Sequence, residues 1–177
     1  MSKQLWVLDP VHSEVAFKVR HMMITTVTGT FNDCTGNVYA DASDFSDAEI
    51  SFEADVLSIN TRNEQRDAHL RSNDFFDAEN HQKVNFKSTS FTKKGDTSYT
   101  LVGDLTLRGV THAISLKAEF EGVIADPWGQ VKAGFSAEGT INRGDFNLNW
   151  QASNEAGDVV LSEEVKIVIN AQLIKQM

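Results

Sequence analysis

The stretch Glu14-Val15-Ala16-Phe17-Lys18-Val19-Arg20-His21 alternates strictly. Successive side chains of a strand point to opposite faces, so Val15, Phe17, Val19 and His21 share one side while Glu14, Ala16, Lys18 and Arg20 share the other. That is a half-buried strand, with His21 on its apolar side. The alternation returns at Ile50, Phe52, Ala54 and Val56, at Leu101, Gly103, Leu105 and Leu107, and at Ile114, Leu116, Ala118 and Phe120. It continues at Val131, Ala133, Phe135 and Ala137, and from Val165 through Ile167, Ile169 and Ala171 to Leu173. Turn signals separate the runs at Lys93-Lys94-Gly95-Asp96, Arg108-Gly109, Asp126-Pro127-Trp128-Gly129, Arg143-Gly144-Asp145 and Ala156-Gly157-Asp158. Short connections between alternating strands make hairpins, so the sheet is expected to be antiparallel.

About eight strands, each burying one face, fit a sandwich or a closed barrel. The inward parity mixes Ala54, Gly103, Ala118, Ala133, Ala137 and Gly139 with Phe17, Phe52, Phe120 and Phe135. Small inward residues leave room in a barrel for one elongated ligand, which favours a lipocalin-like barrel. The same residues also suit close packing, so alternation by itself leaves an open or a filled interior equally available.

One segment breaks the pattern. Thr61 with Glu64 three residues later reads as a capping box, and a short helix is expected from about Arg62 to Arg71, crossing one end of the barrel. Phe75 and Phe76 would anchor the return to the strand holding Val84 and Phe86. A second irregular or helical piece is expected over Met22 to Val27, where alternation lapses.

This helical insert, Ser58-Ile59-Asn60-Thr61-Arg62-Asn63-Glu64-Gln65-Arg66-Asp67-Ala68-His69-Leu70-Arg71-Ser72-Asn73-Asp74-Phe75-Phe76-Asp77, resembles the signature of the YceI-like family. Asp9-Pro10-Val11-His12-Ser13, Gly103-Asp104-Leu105-Thr106-Leu107-Arg108-Gly109-Val110-Thr111 and Ile141-Asn142-Arg143-Gly144-Asp145-Phe146 stand around it in the family's order. The resemblance implies an extended antiparallel eight-stranded barrel around a long apolar pocket for a lipid. Two positions depart from the family pattern. His81-Gln82 replaces an aromatic and a proline, and Asn147 stands where glycine is usual.

At 177 residues and 41% hydrophobic side chains, without a low-complexity tract, the chain is expected to form one domain over 1–177 with a sizeable core. The formal net charge of -9 repels phosphate backbones and argues against nucleic acid as a partner. Nothing approaches the ~18 apolar residues of a membrane span, so membrane insertion is not expected. The single cysteine, Cys34, cannot form an intramolecular disulfide. Leu5-Trp6-Val7-Leu8 follows the start with no secretory leader before it, which as written reads as cytoplasmic; a trimmed leader would make the protein periplasmic, as many relatives in the resembled family are.

Arg66-Asp67-Ala68-His69 offers a cation, a carboxylate and an imidazole, enough to hold a polar headgroup or to orient a general base. For Asp67 the favoured reading is structural, a carboxylate tying the helix to its neighbour. His12 and Ser13 are adjacent strand-like residues that point apart, and no Gly-x-Ser-x-Gly elbow is present, so they are read as turn residues bonding the backbone. The histidines His12, His21, His69, His81 and His112 show no metal-ligand spacing. His21 and His69 could meet at the barrel mouth.

The expected function is non-catalytic binding, storage or transport of an isoprenoid, polyprenyl or quinone-like, or of another long-chain amphiphile, with no cofactor, metal or catalytic residue. The expected lining is Phe17, Val19, His21, Phe31, Phe52, Ala54, Val56, Arg66, His69, Leu70, Phe76, Phe86, Ala133 and Phe135, with Arg66, His69 and His21 orienting the headgroup. Trp128, in a hairpin turn, is expected outside it. Two alternatives remain: an enzyme using Asp67 and His69 as acid and base on a lipid-like substrate, and a homodimeric interaction module with a filled barrel and pairing sheet edges.

Overall fold

The computed structural model describes residues 3–41, 44–152 and 160–177. In chain order the strands are β1 Gln4–Leu8, β2 Glu14–His21, β3 Thr25–Phe31, β4 Cys34–Ala40, β5 Glu49–Asp55 and β6 Ile59–Asn60. Helix α1, Glu64–Arg71, follows, then β7 Lys83–Lys93, β8 Ser98–Leu107, β9 Val110–Ala125, β10 Val131–Asn142 and β11 Leu161–Lys175. All pairings are antiparallel. The order β1-β4-β5-β7-β8-β9-β10-β11 closes through pairing of β1 with β11, a barrel of eight strands.

Three of the eight strands are broken. A short 3-10 turn at Pro10–His12 splits the first into β1 and β2, Asn32 and Asp33 separate β3 from β4, and a 3-10 turn at Val56–Ser58 separates β5 from β6. Each half pairs with the matching half of its neighbours: β1 with β4 and β2 with β3, β4 with β5 and β3 with β6. The two halves of β11 likewise serve β2 and β1.

Three expectations of detail change, and a fourth falls outside the described residues. Helix α1 is capped by Asn63, whose side chain accepts from the Arg66 N–H. Thr61 is unavailable as a cap because it is buried and its hydroxyl bonds Asp67. Met22 to Val27 is neither helical nor irregular throughout: Met22 and Met23 take positive φ values of 54° and 58° in a tight turn, and β3 begins at Thr25. The Arg143–Phe146 signal is a 3-10 turn closing β10, and Ala156-Gly157-Asp158 lies outside the described residues.

The family's glycine site is answered by a local device. Asn147 caps the Arg143–Phe146 turn at φ 59°, a left-handed conformation that asparagine tolerates better than most residues. His81, the other departure, sets its ring over Gly109, where an added Cβ would come within 2.8 Å. Arg108 and Gly109 both have positive φ, the requirement of a two-residue turn joining β8 to β9.

Candidate functional site

The barrel encloses a cavity of about 430 Å³. Its wall repeats the alternation of the strands: Val15, Phe17, Val19 and His21 from β2 all line it, as do Val165, Ile167, Ile169, Ala171 and Leu173 from β11. Leu101, Leu105 and Leu107 of β8 and Leu116 and Ala118 of β9 complete the far side.

One end is closed by aromatic side chains. Phe45, from the β4–β5 connection, lies 5.3 Å from Trp6, 5.7 Å from Phe120 and 5.0 Å from Phe135 between ring centroids, and Phe91 stacks on Tyr99 at 4.5 Å. These contacts account for the burial of Trp6, Phe45, Phe91 and Tyr99. The Tyr99 hydroxyl donates to Asp44 at 3.3 Å; burial, together with that carboxylate, holds the phenol above its ordinary pKa.

The opposite end is polar and built around α1. Residues three and four apart share a helix face. Arg66, His69 and Leu70 therefore turn together to the cavity, whereas Asp67 and Arg71 border a separate polar recess with Asn60 and Glu64. The Arg66 Nε donates to the Thr61 hydroxyl at 2.8 Å and its Nη2 to the Thr61 carbonyl, while Thr61 donates from both N and Oγ1 to Asp67. Thr61 thus passes one hydrogen-bond chain between cation and carboxylate. His69 Nε2 lies 2.8 Å from Asp74 Oδ2, and its ring stands edge-on to Phe75 and Trp150 at 5.0 and 5.1 Å.

Arg143 joins this end. It is buried, with Nε donating to the Ser162 carbonyl at 2.9 Å and Nη1 to the carbonyls of Leu148 and Trp150. Burial pulls its pKa down, and the Glu163 charge opposes that shift. His21 stands at this end as well, since it pairs across the strands with Leu161, the neighbour of Ser162. His21 and His69 both border the cavity here.

Of the fourteen expected lining residues, Phe17, Val19, His21, Phe31, Phe52, Arg66, His69, Leu70, Phe76, Phe86 and Phe135 border the cavity. Ala54, Val56 and Ala133 do not. All three are almost wholly buried but packed in the surrounding core, and Val56 sits in the 3-10 turn where strand parity no longer applies. Sequence reading missed Phe45, Phe75, Arg143, Leu148 and Trp150 as lining. Arg143 was legible as part of a turn signal and of the block that carries the family resemblance, but not as a lining residue, although Ile141 and Phe146 flank it with apolar side chains. Trp128 is 84% exposed at the β9–β10 turn and borders no part of the cavity.

The side chains weighed above for acid–base or nucleophilic chemistry each have other partners. Asp67 is committed to Thr61 and His69 to Asp74, so they face different partners. Ser13 exchanges hydrogen bonds with the Gln172 backbone, and His12 bonds Asp9 at 2.8 Å. Among the described residues no group of three His, Cys, Asp or Glu side chains could hold a metal ion. Among the described residues no helix is long and apolar enough to cross a membrane.

Comparison with known proteins agrees with this architecture. A UPF0312 protein of Staphylococcus epidermidis is 38% identical over 165 residues, covering 93% of this chain and 94% of its own. A UPF0312 protein of Vibrio parahaemolyticus is 35% identical over 86% of this chain and 81% of its own. Among solved structures, Burkholderia cenocepacia BcnA shares the fold at a TM-score of 0.80 with 20% identity, covering 93% of this chain and 98% of its own. A polyisoprenoid binding domain from Saccharophagus degradans does so at 0.71 with 16% identity, covering 97% and 98%. A YCEI protein of Campylobacter jejuni aligns at 0.69 with 29% identity over 87% of both chains. The YceI-like domain matches residues 6–173, and the chain belongs to that family.

Proposed function

We propose that this protein binds and carries an isoprenoid or other long-chain amphiphile inside its barrel, without transforming it. The observation that supports this most is the cavity of about 430 Å³, walled by apolar side chains along its length and bordered by Arg66, His69, His21 and Arg143 at one end. A site of that volume is within the usual range for small-molecule pockets. Each buried methylene contributes about 0.8 kcal/mol, so ten contribute on the order of 8 kcal/mol before the entropy of association is subtracted. The Saccharophagus degradans domain of the same fold, described as polyisoprenoid binding, supports the same ligand class. Mass spectrometry of an organic extract of the purified protein is the test. The expected result is one long-chain amphiphile near one per protein; an extract free of lipid, with no uptake of added palmitate or farnesol, overturns the reading.

A further inference from the structure

The charge on the cavity wall narrows the ligand, given the reading that an amphiphile fills the barrel. The chain has 25 Asp and Glu against 16 Lys and Arg. Among the described residues, however, no Asp or Glu borders the cavity, whereas Arg66, Arg143, His21 and His69 all do. The ionisable side chains on the cavity wall of this acidic protein are thus two arginines and two histidines, all at the α1 end, the arginines carrying the fixed positive charge.

Neither arginine touches a carboxylate directly, Arg66 reaching Asp67 only through Thr61. Among the described residues Arg66 and Arg143 form no ion pair. The charge of Arg143 is met by the carbonyls of Ser162, Leu148 and Trp150, with Glu163 acting only at longer range. Its Nη2 and the Nη1 of Arg66 make no hydrogen bond among the described residues. Trp150 connects the groups, accepting from Arg143 at 2.8 Å and packing on His69 at 5.1 Å. Arg143 is buried whereas Arg66 is exposed at the α1 end, so it is the Arg143 guanidinium that is costly to hold without a carboxylate unless something else supplies the counter-charge. Arginine's planar fork suits a carboxylate or a phosphate.

We propose that the bound amphiphile is an anion, its carboxylate or phosphate headgroup held by Arg66 and Arg143 beside the His21 and His69 imidazoles, with its chain running towards Phe45 and Phe135. The oxyanion is the shared chemistry of a fatty acid and a prenyl phosphate, and the test separates them.

Binding of palmitate, hexadecanol, farnesyl phosphate and farnesol to lipid-stripped protein would be followed by calorimetry. At least one anion is expected to bind about tenfold or more tightly than its alcohol, the size of one charge-assisted contact, and which pair shows the gap names the headgroup. Arg66→Gln should bring the pair to within about threefold, a loss of most of that contact. Arg143→Gln, once circular dichroism has confirmed folding, should do the same; if it does not fold, Arg66→Gln decides. Equal binding of both anions and their alcohols overturns the anionic headgroup while leaving the barrel reading intact. A preference that survives in Arg66→Gln overturns the arginine assignment. Failure of all four ligands to bind instead overturns the proposed function itself.

Discussion

Phe17 lies flat across Gly29, its direct partner on the neighbouring strand: a Cβ added to Gly29 would stand 2.3 Å from the Cζ of the ring. The glycine is what lets an aromatic side chain lie along the wall and leave the cavity open. Gly139 under Leu116 and Gly103 under Phe86 repeat the arrangement, with gaps of 2.4 Å in both.

Gly29→Val should therefore drive the Phe17 ring into the cavity. Overpacking of this kind costs about 1–3 kcal/mol, and co-purifying lipid should fall. Urea denaturation and lipid extraction measure the two effects; a variant with unchanged lipid would show that Phe17 can leave the wall without entering the cavity.

Ala137 borders the cavity, facing Ala118 and Ile169 across the strands, whereas Ala133 is 1% exposed and lies off the lining. Ala137→Trp has open volume to enter, so it should stay folded and lose bound lipid. Ala133→Trp has none and should lose more stability. Denaturation midpoints for the two, beside lipid content, test the distinction; the reverse order of stability would contradict it.

Asp67 accepts two hydrogen bonds from Thr61 and borders no part of the cavity. Asp67→Ala leaves the buried Thr61 N–H unpaired, which should cost about 1–3 kcal/mol. Lipid content of the folded fraction should be unchanged. A loss of lipid at unchanged stability would instead make Asp67 part of the binding site.

Asn147 at φ 59° predicts an asymmetry. Asn147→Gly should be nearly neutral, while Asn147→Ala should lose about 1 kcal/mol because a Cβ without a local hydrogen-bonding group disfavours the left-handed region. Thermal unfolding of the pair checks this, and equal midpoints would count against strain at this turn.

The barrel was legible because parity is local. Phe17 and Ile167 declare their side through neighbours one residue away, and the hairpin turns fix antiparallel pairing. Depth is not local. Ala54 and Ala133 have the inward parity of their strands, yet only tertiary packing decides whether another side chain stands between them and the cavity. Arg143 and Trp150 lay beyond reach for a different reason: they sit outside regular strand, where no period assigns a face, and tertiary contacts, among them the Arg143–Trp150 hydrogen bond and the packing of Trp150 on His69, bring them to the same end. At α1 the helical period placed Arg66, His69 and Leu70 together, but the capping residue was misread because Thr61 is recruited by Asp67.

The closing strand β11 bears on how the molecule comes into being. It pairs with β1, β2 and β10 and supplies five consecutive inward residues of the wall, from Val165 to Leu173. During synthesis, every earlier strand can leave the ribosome while the interior still lacks that side. Pairing so distant in sequence is slow to form, and exposed apolar surface invites aggregation meanwhile. A nascent chain stalled before residue 161 would thus present an open apolar trough, the wall that β11 supplies still missing.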